Sequence, residues 1–230
     1  MSMLILAAVV FLALHLLVSG TRLRDAITAR IGEGPYMGLF SLASIAALVW
    51  LGFTYAGARN TAGNYVLWTI NPATRGLQAL LQLLAMLLIV PGLTTPNPTS
   101  VRQEGQLERV DAVKGMLRIT RHPFLWGVAI WAAGHLMVNG DAASIVLFGS
   151  LLALALFGTA SIDAKRRRKL GKTWEAFAAQ TSNLPFAAIA SGRQRFSLGE
   201  IGWWRIGLAV VVWGVVGWAH PLLFGVRAFP

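Results

Sequence analysis

The sequence has no cysteine, few acidic residues and little charge of either sign. Without cysteine, its 230 residues can form no disulfide, no thiolate ligand for haem or zinc and no cysteine nucleophile. Only 13% of the residues are charged, whereas soluble domains have about a quarter. Hydrophobic residues make up 56%, and the mean hydropathy is +0.61. So few polar groups cannot cover a soluble globule of this size, and we predict an integral membrane protein.

Apolar runs of about 17–25 residues predict an all-α membrane protein with about six transmembrane helices. The predicted spans are 3–20, 36–57, 76–94, 123–138, 142–160 and 205–226. The first five form a predicted membrane domain over residues 1–190, and residues 191–230 supply an amphipathic connection and the sixth span. Only Asn139-Gly140-Asp141 separates the fourth span from the fifth, which predicts a tight helical hairpin.

The distribution of basic residues predicts the orientation of the spans. Of the 20 Lys and Arg residues, 17 lie in the first, third and fifth loops or at their edges. The positive-inside rule therefore places these loops in the cytoplasm and both termini in the periplasm of a bacterial inner membrane. The net charge of +11 then reflects topology and anionic lipid headgroups, with membrane lipids and not nucleic acid as partners. The run from Lys165 to Lys169 fits headgroup contact best.

The ionisable residues inside the spans are three histidines, and none of the spans has an Asp, Glu or Lys near its middle. This pattern excludes paired-acid hydrolysis and a carboxylate-bound metal inside the membrane. His15 and His135, without a nearby carboxylate, suit haem iron better than a hard cation. The alternative is that each is a neutral imidazole bonded to a carbonyl. Asn139, one turn after His135, joins the candidate cofactor-binding residues, whereas His220 is predicted to be structural.

A further candidate site lies at the cytoplasmic start of the fourth span. Arg121 and His122 precede Pro123, which suits the first position of a helix. At this depth the two side chains can hold a phosphate, a carboxylate or a cofactor propionate, and we take them as the candidate catalytic residues. The alternative is a helix start with an arginine that extends toward the interface.

Two stretches of the sequence resemble the NnrU family of bacterial membrane proteins, which also includes the 15-cis-zeta-carotene isomerases. The first is His15-Leu-Leu-Val-Ser-Gly-Thr-Arg-Leu-Arg24, followed by Gly32-Glu33 and the segment from Tyr36 to Ser44. The second runs from Ile119-Thr-Arg-His-Pro-Phe-Leu-Trp-Gly127 through Trp131 and His135 to Asn139-Gly-Asp141. The resemblance covers most of residues 1–190.

This resemblance implies denitrification-related redox chemistry or the isomerisation of a polyene at haem b. Carried onto this chain, the axial ligands of the haem iron are His15 and His135. A haem lying flat would bridge their different depths, and an upright haem would use His15 with His122. The isomerase pattern has a cysteine where this chain has Ala132. The implied partners are a hydrophobic small molecule or a respiratory membrane protein, which the chain could also assist without catalysis.

A more distant resemblance is to isoprenylcysteine and phospholipid methyltransferases. It rests on Arg121-His122-Pro123 with Gly127, and on Asp163 and the Leu184-Pro185 pair downstream. In those enzymes the corresponding elements bind S-adenosylmethionine at the cytoplasmic face. Here Leu125 stands in place of the tyrosine of that pattern and Ile162 in place of its first glutamate. The alternative function is therefore methyl transfer with S-adenosylmethionine.

Overall fold

The computed structural model describes residues 1–70, 72–109 and 111–229, and the described part is helical apart from one isolated β-bridge. The helices are α1 (Ser2–Ala13), α2 (Arg22–Ile31), α3 (Glu33–Ala58), α4 (Pro72–Thr94), α5 (Met116–Ile119), α6 (Pro123–Val138), α7 (Ala142–Leu170), α8 (Lys172–Gln180), α9 (Ala187–Ala190), α10 (Leu198–Ile201) and α11 (Trp203–Phe224). A π-helical turn, Leu14–Val18, extends α1, and a 3₁₀ turn covers Glu104–Glu108.

The first helix ends in a sharp bend. The segment Ser2–Val18 and α2 are inclined to each other by 75°. Gly20 lies at the bend, where a Cβ atom would approach Ser161 Oγ of α7 to 2.5 Å. Thr21 then begins α2, because its hydroxyl accepts a hydrogen bond from the amide of Leu23 at 3.2 Å. As a result α2, with its three arginines, turns away from α1 instead of continuing it.

The predicted tight hairpin of the fourth and fifth spans is present as α6 and α7. Pro123 occupies the first turn of α6, where a missing amide hydrogen costs nothing. Asp141 caps α7 by accepting hydrogen bonds from the amide and the hydroxyl of Ser144, at 3.1 and 2.6 Å. The side-chain cap at Asp141 therefore fixes the start of α7 directly after the turn that follows α6.

The long helices pack in an order that differs from their order in the chain. Across the bundle, α11 packs on α4, α4 on α6, α6 on α7, and α7 on α1, which also contacts α3. The main apolar core lies between α1, α3 and α7 and includes Leu4, Phe11 and Leu51. At the other side, Trp213 Nε1 donates to the carbonyl of Ala79 at 3.1 Å, which attaches α11 to α4.

In the part of the chain that the structure describes, four helices are long and apolar enough to cross a bilayer, namely α3, α4, α7 and α11. The bent pair of Ser2–Val18 and α2 would supply a fifth crossing. The fourth predicted span, 123–138, corresponds to α6, whose 16 residues fall short of this length. Large apolar side chains such as Leu42 and Leu222 are 68% and 78% exposed. The chain is thus an all-helical, multi-pass membrane protein.

Helix α8 follows α7 directly and is amphipathic, as its sequence indicates. Its apolar side chains do not lie free on the surface, because Trp174 and Phe177 are buried against Leu117 of α5. Through these side chains α8 packs on α5 and on Leu107 and Val113 of the segment that precedes it.

Candidate functional site

His15 lies in the π-helical turn at the end of α1. Its Nδ1 donates to the carbonyl of Phe11 at 2.8 Å, so Nε2 carries the lone pair and accepts from Ser44 Oγ of α3 at 3.0 Å. The ring also packs on Phe11 and, edge to face, on Phe40. Turns of this kind are frequent at functional sites. The Nε2 of His15 thus faces a single serine hydroxyl, while Nδ1 is held by a carbonyl of its own helix.

His135 lies in the last turn of α6 and has a similar local geometry. Its Nδ1 donates to the carbonyl of Trp131 at 2.8 Å, and the ring stacks on Phe148 of α7 at 4.7 Å. Within the described residues, Nε2 has no hydrogen-bond partner. Asn139 does not contact the ring, because its amide donates to the carbonyl of His135 at 2.8 Å and so caps the helix.

The structure does not bring His15 and His135 together. They lie on α1 and α6, which pack on α7 but not extensively on each other. His135 is level with Phe148, whereas Gly20, which follows His15 by five residues toward α2, lies against Ser161. At 1.5 Å per residue these two α7 positions are about 20 Å apart, so the imidazoles differ in depth by roughly 12 Å. Iron ligands on opposite faces of one haem lie much closer together than this.

Arg121 and His122 meet a residue from the far end of α7. The Arg121 guanidinium donates to both carboxylate oxygens of Asp163, with Nη2 2.7 Å from Oδ2. His122 Nε2 donates to Oδ1 of the same carboxylate at 2.7 Å. Asn183 Nδ2 lies 3.3 Å from Oδ2. We call these four residues the Asp163 cluster.

The Asp163 cluster is closed to solvent. His122 and Asp163 are 2% and 8% exposed, and the ring of Trp174 covers the Arg121 guanidinium at 6.0 Å. Burial lowers the pKa of His122 below its ordinary value, and the Asp163 carboxylate opposes this effect. His122 is therefore a neutral imidazole that donates one hydrogen bond, and the ion pair is the one between Arg121 and Asp163.

Backbone contacts extend the cluster to the segment after α8. The amide of Arg121 donates to the carbonyl of Ser182 at 2.9 Å, and Thr120 Oγ1 donates to the carbonyl of Asn183. Trp126 Nε1 donates to that same carbonyl at 2.8 Å. Sequence reasoning did not identify Thr120 or Asn183, although Asn183 stands beside the Leu184-Pro185 pair of the methyltransferase pattern. The predicted catalytic pair therefore lies in a network that joins α6, α7 and the 181–183 segment.

Among the described residues, the remaining histidine forms its hydrogen bond within its own end of the chain. His220 Nδ1 donates to the carbonyl of Val226 at 2.8 Å, and its ring packs on Phe224. This contact fits the structural role expected of it. Among the described residues no group of three or more His, Cys, Asp or Glu side chains is arranged to hold a metal ion.

Comparison with known proteins places these features in a family. The family model described as "NnrU protein" matches residues 3–228. The chain belongs to the NnrU family. This assignment confirms the resemblance noted from the motifs around His15 and His122, and it extends over all the long helices. No solved structure of an NnrU-like fold or of any other protein matches the chain.

Two curated relatives of this NnrU protein carry an assigned activity. The chain is 31% identical over 112 residues to the maize (Zea mays) protein named 15-cis-zeta-carotene isomerase, chloroplastic. The aligned segment covers 47% of this chain and 31% of the maize protein. It is 36% identical over 80 residues to the Arabidopsis thaliana protein of the same name. That segment covers 35% of this chain and 22% of the Arabidopsis protein. The chain thus covers less than a third of the length of either relative.

Proposed function

We propose that this NnrU protein isomerises a double bond in an apolar polyene dissolved in the membrane, as its curated relatives are named for doing. The observation that carries the proposal is the similarity to two 15-cis-zeta-carotene isomerases over as much as 47% of the chain. The described residues support it, because aromatic side chains pack on both half-buried imidazoles and no described acidic side chain bonds to either. Such surroundings suit a hydrocarbon substrate better than a polar one.

We further propose haem b as the cofactor, with His15 as the first axial ligand. The donor chemistry fits one ligand, since Nδ1 is held by a carbonyl and Nε2 is released if the Ser44 hydroxyl turns away. A bound haem would supply an iron centre whose ligation and redox state can change. His135 has the same available Nε2, but in this conformation the two imidazoles do not fit one haem as a pair. Ligation by both requires α6 to move relative to α1.

From the distribution of basic residues we propose that the chain crosses a bacterial inner membrane six times and that both termini lie in the periplasm. The loops that contain the Asp163 cluster then face the cytoplasm, together with the basic end of α7. Redox chemistry related to denitrification stays a proposal from the family resemblance alone. Reporter fusions at the two termini and in the loop after α7 test the orientation directly.

Two measurements test the proposed function separately. The purified protein, loaded with haem, should show a Soret band and sharp reduced α and β bands if two imidazoles bind the iron. His15→Ala should remove the absorbance, whereas His135→Ala should leave a high-spin spectrum if His15 binds alone. Proteoliposomes containing 15-cis-zeta-carotene should change the isomer composition of the pigment. Unchanged pigment with fully loaded protein would exclude the isomerase function, and a colourless protein after reconstitution would exclude the haem.

Methyl transfer with S-adenosylmethionine remains an alternative because the chain has the Arg-His-Pro frame together with Asp163. The polar groups of that frame are occupied by one another, since Arg121 and His122 both bond to Asp163. S-adenosylmethionine would have to displace these bonds. Equilibrium dialysis with the labelled cofactor tests this alternative. A third possibility, an accessory role beside a respiratory or nitric-oxide complex, predicts copurification with that complex and neither colour nor cofactor binding.

A further inference from the structure

A cavity of about 90 Å³ lies where the bend after α1 meets the last turns of α7. A water molecule takes up about 30 Å³, so the space is suited to a small polar group. One side is formed by Ser19 and α2, and another by the beginning of α3. The basic run after residue 164, which we expected to contact lipid headgroups, forms the third side. The cavity is distinct from the Asp163 cluster and shares none of its residues.

The walls of the cavity carry more positive than negative charge. Five basic side chains line it: Arg24, Arg102, Lys165, Arg166 and Lys169. The acidic side chains of the wall are Glu33 and Glu104.

The two carboxylates satisfy only part of this charge. Arg24 donates to Glu33 at 2.8 Å, while Arg166 and Lys169 both contact Glu104. Lys165 forms no ion pair or hydrogen bond with any residue that the structure describes, although Asp25 lies near enough to attract it and Arg24 near enough to repel it. The cavity therefore has a surplus of positive charge, which an anion would neutralise.

Two buried polar atoms in the wall also lack a partner. Within the described residues, the hydroxyl of Tyr36 has no hydrogen-bond partner, although the residue is only 4% exposed. The Nε of Arg166 is likewise unsatisfied, and Arg166 is 6% exposed. Leaving a buried donor unsatisfied costs about 1–3 kcal/mol, so such donors usually have a partner. Both residues line the cavity, so an oxygen-rich group inside it could accept from both donors after a small side-chain rotation.

The surroundings of the cavity are apolar on the side of α3. Met37 and Phe40 line it beside Tyr36, and the next residues on that helix, Leu39 and Leu42, are 62% and 68% exposed. An anion attached to hydrocarbon chains can place its head in the cavity and its chains along this face. A fully hydrated anion would gain nothing from it.

We propose that this cavity binds the phosphate group of an anionic membrane lipid, whose oxygens accept from Lys165, the Tyr36 hydroxyl and Arg166. The phosphate neutralises the positive charge that Glu33 and Glu104 leave unbalanced, and the acyl chains lie along the exposed face of α3. The binding is independent of the proposed isomerase chemistry, because it uses neither histidine nor the Asp163 cluster. The basic end of α7 thus holds one lipid specifically, in addition to attracting headgroups in general.

Native mass spectrometry of the full chain in detergent, titrated with dioleoyl phosphatidate, tests this site. The wild type should retain one phosphatidate, and Lys165→Met and Tyr36→Phe should each weaken its retention about tenfold. The matched control is Arg168→Met, which removes one cation from the same turn of α7 at an exposed position that does not line the cavity, although its charge acts on Lys165. This variant should change retention less than twofold. Melting temperatures of all three variants verify that they are folded.

Two further probes distinguish the source of the phosphate. Dioleoylglycerol has the same chains without the phosphate and should not be retained. Inorganic phosphate should compete only at concentrations far above those of phosphatidate. Equal loss of binding in Arg168→Met and Lys165→Met, or equal retention of dioleoylglycerol, would overturn the site. Binding of inorganic phosphate as tight as that of phosphatidate would overturn the assignment to a lipid.

Discussion

Two polar regions lie within one turn of each other on α7, and they differ in how far their charges are satisfied. At Asp163, every oxygen of the carboxylate accepts from Arg121, His122 or Asn183. At Lys165, the ammonium group has no partner among the described residues, and a neighbouring tyrosine hydroxyl is unpaired. A saturated network stabilises one arrangement of helices, whereas an unsaturated one is complete only with a ligand. Whether the polar groups of a region already have partners therefore distinguishes a structural region from a binding region better than the types of residue do.

The largest effect is expected from breaking the saturated region. Asp163→Ala leaves the Arg121 guanidinium buried without its counter-ion, which costs about 3–5 kcal/mol of the free energy of unfolding. We expect a large fall in melting temperature or loss of folded protein from the membrane. The control is Asp111→Ala, because Asp111 forms only exposed ion pairs. Equal stability of the two variants would show that the Asp163 cluster does not hold the helices together.

The variant Arg121→Lys tests whether the hydrogen-bond geometry between residue 121 and Asp163 contributes to stability in addition to the charge. The lysine keeps the positive charge but cannot reach both carboxylate oxygens in the same way. Loss of the paired hydrogen bonds should cost roughly 2 kcal/mol. Thermal unfolding in detergent measures this change, with Arg167→Lys as a matched exposed control. If Arg121→Lys matches the wild type, the cluster acts through charge alone.

At the unsaturated region, a substitution should have the opposite sign. Lys165→Met removes a cation that Arg24 and Arg166 repel, so the lipid-free protein should become more stable. A gain of about 1 kcal/mol raises the melting temperature by ~2–4 °C in a domain of this size. Added phosphatidate should stabilise the wild type and not the variant, because only the wild type binds it. A loss of stability in lipid-free Lys165→Met would mean that Lys165 has an internal partner.

In these two regions the sequence predicts the contacts between neighbouring residues, but not the contacts between residues that are far apart along the chain. The α6–α7 hairpin and the cap at Asp141 follow from neighbouring residues, and local pattern was sufficient for them. The closure of Arg121 onto Asp163 joins the segment just before α6 to the far part of α7, and the sequence motif contained both residues without indicating that they touch. The basic cavity depends on the 75° bend that carries Arg24 toward Lys165. Hydropathy contains no information on such a bend, which explains why the cavity was not predicted.

The separation of His15 and His135 has the same origin. Each histidine was identified from its own apolar span, and its carbonyl contact four residues earlier is local. Their mutual distance depends instead on α7 lying between α1 and α6. The motifs place both residues in the family pattern but do not specify how the helices are arranged around them. Haem ligation by the pair therefore stays a prediction that the spectra of the two alanine variants decide.

The smallest effect is expected at a third ion pair, which is neither buried nor unsatisfied. Glu200 accepts from Arg118 at 2.7 and 3.0 Å and from the amide of Gly115, and these bonds hold its pKa below the ordinary 4.5. A lowered carboxyl pKa contributes stability above the unfolded value, and that contribution is lost as the pH falls through the folded pKa. Glu200→Gln should therefore lower stability by less than about 1 kcal/mol at pH 7, because an exposed pair is screened. Melting temperatures of both proteins should converge as the pH falls through the folded pKa of Glu200, which lies below its ordinary 4.5. A difference that persists in acid would assign the effect to packing of α10 and not to the charge of Glu200.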